Sequence, residues 1–437
     1  MITTFDDERI GFQFKGLPAD AADLTLAELS GQRRHLLTGG FSWPTMTLRQ
    51  SAVEHNAALM ARYVQDHDLQ IAPHLKTSMS PRLAMIAEAA GMWGVTVANP
   101  FQAQVFMAAG AESIFLANEL VEPDFARRVS TWQQAEGRRF VCYVDSLRGV
   151  QILDENAVDG LDVVIEIGHS GGRAGVRNLA DVATLARAVV DSKNLRLRGV
   201  GGYEGSVSHG RSEEDVGAVR KYLGVLADAL RLTVPHCAQG LPVIASAGGS
   251  LYFDCVADIL APGNFPDLDV VTIIRSGAYL THDSDFYARR SPLDGDLRRQ
   301  EEPAAADNPA AGSALERASA DRLLPSIEVW AQILSRPEPG LIIAGAGRRD
   351  VNSDSGLPLP RRFVASGGSD IRDVSDWNVF ELNDQHAFIE VPADDPALPG
   401  DLMTLAISHP CTLHQRWSAP LLIDDEDHVV GVARSYF

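Results

Sequence analysis

Three groups of residues in this 437-residue sequence have the types and spacing to do chemistry. Lys76 closes the run Pro73-His74-Leu75-Lys76-Thr77, and a lysine amine held at the end of an apolar run can hold a carbonyl group covalently or take a proton. Ser246-Ala247-Gly248-Gly249-Ser250 and Ser276-Gly277-Ala278-Tyr279 are two stretches of mostly small residues, whose backbone N–H groups can approach an anion closely. His409 and Cys411 stand two apart, so in an extended segment both side chains point the same way and can share one cation. Imidazole plus thiolate suits zinc. Each group also has an ordinary structural reading: the lysine as a solvated charge, the glycines as tight turns, Cys411 as a buried thiol beside a structural histidine. The choice depends on whether the fold brings the three together.

The elements that must position them follow from hydrophobic periodicity. From residue 69 short apolar or β-branched runs alternate with longer amphipathic stretches, the pattern of βα units around a parallel sheet. Eight runs are present: LQIAPHL (69–75), WGVTVA (93–98), SIFLA (113–117), RFVCYV (139–144), LDVVIEI (161–167), LRGVGGY (197–203), LPVIAS (241–246) and VVTIIRS (270–276). Between them, segments such as SPRLAMIAEAAG and LADVATLARAVVDSKN repeat apolar residues at intervals of three and four, as helices packed on a sheet require. Eight strands predict an α/β fold with a closed (β/α)8 TIM-type barrel, an open doubly wound sheet being the other arrangement that holds eight strands. In a barrel, Lys76 leaves the first strand and the two small-residue stretches leave the seventh and eighth, where such barrels recurrently bind phosphate. A lysine on one side of the mouth and a phosphate cup on the other is the arrangement that pyridoxal 5′-phosphate (PLP) needs, with its aldehyde and phosphate on opposite sides of the ring.

The rest of the chain divides around that barrel. Residues 1–44 hold one predicted helix, LTLAELSGQRRHLLTGG, and read as an N-terminal extension packing on a second domain. The barrel is assigned to 45–290. Residues 291–322 are rich in Ala, Pro and charge and read as a linker or insertion. Residues 323–437 turn all-β, with SIEVWAQILS, GLIIAGAG, HAFIEVP, LMTLAIS and VVGVARSYF as strands of a smaller β-domain that carries the metal pair.

The ordered runs PHLKTSMSPRL, WGVTVANPFQ, GHSGGRAGVR, YEGSVSH, ASAGGS, RSGAYLTHDSDFY, LNDQHAFIE and SHPCTLHQRW resemble the motifs of the D-serine dehydratase and D-threonine aldolase family, among the alanine racemase-like, fold-type III PLP enzymes. The resemblance covers about residues 45 to 435. It implies that Lys76 carries PLP, that Ser246, Gly248, Gly249, Ser250, Gly277 and Tyr279 hold the phosphate, that Arg173 lies near the phenolic oxygen and that Tyr203 lines the ring. It assigns no group to the pyridine nitrogen. It also implies that His409 and Cys411 bind Zn2+ or another divalent cation gripping the substrate's β-hydroxyl. The family's aldolases more often carry a carboxylate at the second position, so Cys411 favours the dehydratase branch: an ammonia-lyase converting D-serine or D-threonine to a 2-oxo acid and ammonia. The chain departs from the pattern at Thr77-Ser78-Met79-Ser80, where many relatives have a basic residue and a cysteine, and at Ala174, a position often polar elsewhere.

Three other readings stand beside this one. An aldolase would break the Cα–Cβ bond to give glycine and an aldehyde. A single-barrel protein that only manages PLP would lack the C-terminal β-domain. A racemase would need a tyrosine from the β-domain, and residues 323–435 contain none. The composition fits a soluble protein, with 45% hydrophobic and 22% charged residues, and no apolar run approaches the roughly 18 residues that span a bilayer. The net charge of −20 disfavours nucleic acid. The acidic N-terminus and four widely spaced cysteines, Cys142, Cys237, Cys255 and Cys411, fit a reduced, cytoplasmic protein. A small D-amino acid is the expected partner, and a homodimer the expected assembly by analogy with the fold type.

Overall fold

In the computed structural model, which describes residues 1–294, 321–368 and 370–437, the chain begins in an irregular segment and not in the long predicted helix. The helix covers only Leu26–Gly31 (α1), started by a capping box in which Thr25 accepts from the Glu28 N–H and Glu28 accepts from the Thr25 N–H. It stops because Arg33 turns to a positive φ of 46° and His35 bridges to His428. Residues of 10–41 nonetheless bury a cluster of Ile10, Phe14, Leu17, Leu26, Leu29, Leu36 and Phe41 against Trp330, Leu421 and Val429.

The first strand, β1 (Thr45–Arg49), does not join the barrel. It pairs antiparallel with β10 (Ile327–Glu338) and parallel with β17 (Leu421–Ile423). The β-sheet therefore takes in residues 45–49, which the sequence reading assigned to the barrel. The reason is local: Met46 and Leu48 supply one apolar face and Thr47 accepts from the Trp330 indole at 3.2 Å.

After helix α2 (Gln50–Asp66), the eight apolar runs become eight parallel strands: β2 (Gln70–Ile71), β3 (Val95–Val97), β4 (Ser113–Glu119), β5 (Arg139–Val144), β6 (Leu161–Ile167), β7 (Leu195–Gly202), β8 (Val243–Ala247) and β9 (Val270–Ile274). Each pairs with the next from β3 to β9, and β9 pairs with β2. The seam between β2 and β3 is closed by a parallel bridge from His74 to Thr96, with the Leu75 N–H donating to the Thr96 carbonyl at 2.9 Å. The ring is thus a barrel and not an open sheet. Ala72, Phe115, Val141, Tyr143, Val164, Ile244 and Ile273 fill its interior, as the inward half of each strand must.

The second sheet runs β13 (Ile371–Asp373), β12 (Leu359–Val364), β16 (Leu402–Ala406), β10, β1, β17 and β18 (Val429–Val432), with β11 (Leu341–Ala344), β15 (Ala387–Glu390) and β14 (Asn378–Leu382) attached through β10. Among these, β1, β12, β13, β14 and β17 were not read from the sequence. The linker assigned to 291–322 lies, for residues 295–320, outside the described residues. No helix among the described residues is long and apolar enough to cross a membrane.

Candidate active site

The C-terminal ends of the barrel strands and the loop after β16 enclose one cavity of about 480 Å3. Lys76 enters it from the turn after β2. That turn is anchored by Leu75 and Met79, 1% and 0% exposed. Met79 takes a positive φ of 47°, and its carbonyl accepts from the Tyr436 N–H at 3.1 Å. A long side chain in the left-handed region is uncommon, and here the C-terminal segment braces it. Burial is the main cause that draws the Lys76 amine below its ordinary value; Arg173 and Arg275 add to it, while Cys411 opposes it. The neutral amine is the reactive form.

His409 and Cys411 reach the same cavity from the loop after β16. The His409 ring packs on Tyr287 and Phe286, with centroids 5.2 and 5.5 Å apart. Its carbonyl accepts from Asn352 at 2.7 Å, and its buried Nδ1 meets no partner among the described residues. Burial holds the imidazole below its ordinary value, against the pull of Asp354. The Cys411 thiol is raised by burial, opposed by Thr77, whose Oγ1 lies 3.5 Å from Sγ, and by Lys76. A neutral imidazole with an unpartnered nitrogen beside a thiol fits two ligands of an open metal site whose other positions are left to water or substrate. No third His, Cys, Asp or Glu completes such a group among the described residues.

The remaining residues divide by where their side chains go. Arg173, Tyr203, Gly248, Gly249, Ser250 and Gly277 all line the cavity. The Arg173 guanidinium lies over the Tyr203 ring at 5.1 Å, and burial pushes the Tyr203 phenol up to about 12, so it stays protonated. Ser246 does not reach the cavity wall. It faces into the barrel, donates to the Ile273 carbonyl at 2.8 Å and accepts from Arg275. Tyr279 is 4% exposed and part of the apolar core. Both were expected to hold phosphate; strand alternation and core packing turn them away. Gly277 must be glycine because a Cβ there would fall 2.3 Å from the His74 carbonyl oxygen, where β9 leaves beside β2.

Sequence reasoning missed four groups. Arg275, 6% exposed, spans the barrel interior, donates to Ser246 and to the Gly202 carbonyl, and stacks on Phe115 and Tyr143. Glu119 and Glu166, at the ends of β4 and β6, each bury one oxygen that has no partner among the described residues. Burial first, then Glu166, pushes Glu119 up to about 9. Glu204 is fully buried behind the glycine loop. The signal available was a charge closing an apolar run, as in VVTIIR, SIFLANE and LDVVIE, since an unpaired charge is rarely buried.

The barrel with its appended β-sheet has the alanine racemase-like fold. A solved alanine racemase-like protein from Idiomarina loihiensis superposes with a TM-score of 0.66 at 16% identity, covering 91% of this chain and 97% of that one. Residues 326–423 match the putative serine dehydratase domain. The chain is homologous to D-threonine aldolase from Arthrobacter sp, 26% identical over 84% of this chain and 85% of the relative. It is also homologous to D-threo-3-hydroxyaspartate dehydratase from Delftia sp. (strain HT23), 28% identical over 55% of this chain and 61% of the relative.

Proposed function

We propose that this chain is a PLP- and metal-dependent lyase that converts a β-hydroxy D-amino acid such as D-serine or D-threonine to a 2-oxo acid and ammonia. The observation that carries the reading is that Lys76, the small-residue loops after β8 and β9, and the His409–Cys411 pair all face one cavity. When bound, PLP supplies an electron sink for the Cα carbanion and a divalent cation supplies a Lewis acid for the β-hydroxyl.

The chain's own residues supply the rest. Lys76 would hold the cofactor through its amine and, as a free amine, would take the Cα proton. His409 and Cys411 would hold the metal, which would act on the β-hydroxyl. Tyr203 and Arg173 pack as a stacked pair at the wall, and Arg275 places a buried cation beneath the site. The β-hydroxyl leaves, water returns at the α-carbon and ammonia departs, so that D-serine becomes pyruvate and ammonia with no other reactant consumed. Cys411 in place of a carboxylate and the dehydratase relative support elimination. The aldolase relative supports the alternative, Cα–Cβ cleavage to glycine and an aldehyde. The same reading takes the enzyme to act in the cytoplasm as a homodimer on a free D-amino acid.

Cofactor anchoring is tested by reducing the PLP-loaded protein with borohydride and mapping the labelled peptide. The label is expected on Lys76, and Lys76→Ala is expected to lose both label and ammonia release. A labelled peptide lacking Lys76 would remove the assignment.

A further inference from the structure

The glycine loop after β8 is already occupied by a protein carboxylate. Glu204, in a 3-10 turn after β7 (Glu204–Ser206), is 0% exposed, and its two oxygens accept from the Gly248 N–H at 2.9 Å and the Gly249 N–H at 2.5 Å. The other side of the loop is also tied down. The Ser276 hydroxyl lies 3.1 Å from the carbonyls of both Gly248 and Gly249, and the Arg275 N–H donates to the Gly248 carbonyl at 3.0 Å. A Cβ on Gly249 would meet the Tyr203 ring at 2.8 Å and Glu204 at 3.2 Å, so the loop is fitted closely over this carboxylate.

An anion arriving at the cavity therefore finds neither glycine N–H free. A phosphate placed on them would have to displace the Glu204 side chain, to which both N–H groups already donate. Ser250, Gly277 and Ala278 are different: these residues line the cavity, and their N–H groups meet no acceptor among the described residues. The donors available to phosphate thus lie just beyond the clamped glycines, and the clamp sets where they point.

We propose that Glu204 is a positioning residue for the phosphate end of the cofactor, holding the Gly248–Gly249 loop so that Ser250 and the Gly277–Ala278 segment form the anion cup. The inference rests on the PLP reading given above. It separates two kinds of ligand. PLP uses the cup, whereas pyridoxal, which lacks the phosphate, meets only Lys76 and the ring-facing residues.

The test is a fluorescence titration of the cofactor-free protein with PLP and, separately, with pyridoxal, on wild type and Glu204→Gln. The side-chain amide keeps one oxygen acceptor where the carboxyl group places two oxygens, so one glycine N–H loses its acceptor. PLP affinity is expected to fall about 10- to 100-fold, with pyridoxal affinity unchanged. Equal losses for both ligands, or no loss of PLP affinity, would overturn the proposal. Should Glu204→Gln not fold, Ser276→Ala releases the same loop from its carbonyl side, and the same split between PLP and pyridoxal is expected. A wild type that binds neither ligand would overturn the cofactor reading itself, a result distinct from a variant indistinguishable from wild type.

Discussion

At the scale of single residues, the site works by withholding water from groups that water would otherwise keep charged. Burial lowers Lys76 and His409 and raises Cys411, so the amine, the imidazole and the thiol are all pressed toward neutrality until a cofactor or cation arrives. His409→Ala or Cys411→Ala is expected to reduce ammonia release by about 100-fold or more, since a Lewis acid contributes several kcal/mol at the leaving group, and to remove bound metal measured by elemental analysis. Unchanged turnover and metal content would dismiss the pair as ligands. Glu119 gives a pH test. Its carboxyl is near 4.3 in the unfolded chain and pushed up to about 9 in the folded one. The native state therefore holds the extra proton across that window, and stability falls as pH rises through it. Glu119→Gln removes this titration, and thermal unfolding between about pH 5 and about pH 9 is expected to lose part of its alkaline decline.

Legibility at this scale followed chemistry that is local in sequence. Lys76 at a strand end and His409 two before Cys411 could be named as candidates because their spacing is local, and the resemblance to ordered motifs chose between their chemical and structural readings. Glu204 and Arg275 could not, because their partners, Gly248, Gly249, Gly202 and Ser246, come from other strands. Ser246 and Tyr279 were misplaced for the complementary reason: a loop motif says which residues are small, not which way each side chain turns.

At the scale of elements, the strongest signals were the eight apolar runs, buried on both faces as parallel strands are. Strands β13 and β14 escaped notice as edges, which need little hydrophobicity, β12 because polar residues interrupt it inside the sheet, and β17 because its buried run is only three residues long. LPRRFV carries a proline and two arginines, and IRD is a three-residue edge. An ion-paired carboxylate adds to the apolar packing of this region. Asp427, 4% exposed in the turn between β17 and β18, accepts from Arg49 just as β1 ends, at 2.9 Å, and from Arg362 of β12, at 2.6 Å. One carboxylate thereby joins three strands. Although burial is the largest influence and raises it, the two arginines hold it below the usual carboxylate range. The stability it contributes is present above about pH 3.9 and lost as pH falls through the lower folded value. Asp427→Asn keeps a residue tolerated at its φ of 61° and is expected to cost about 2 kcal/mol near neutral pH, read by denaturant unfolding. The cost should shrink in acid; a constant cost would mean the ion pairs are not its source.

At the scale of the whole molecule, the active cavity is built by two sheets that share the start of the chain. Residues 10–41 seal the β-sheet, β1 is woven into its centre, and α2 then opens the barrel, so the β-domain needs both ends of the chain to form. The all-β character of residues 323–437 was legible, but the contribution of residues 45–49 was not, because pairing between strands some 280 residues apart leaves no periodic trace. Leu29 is fully buried in that seal, and Leu29→Ala is expected to cost about 2 to 5 kcal/mol. A near-neutral effect on unfolding would show that the N-terminal segment is not integral to the core.

The reaction itself is decided by what D-threonine becomes. With protein loaded with PLP and a divalent cation, products are measured by amino-acid analysis and keto-acid derivatisation. Equal amounts of ammonia and 2-oxobutyrate, dependent on Lys76 and suppressed by chelator, are the expected result. Glycine and acetaldehyde in equal amounts, without ammonia, would contradict the account.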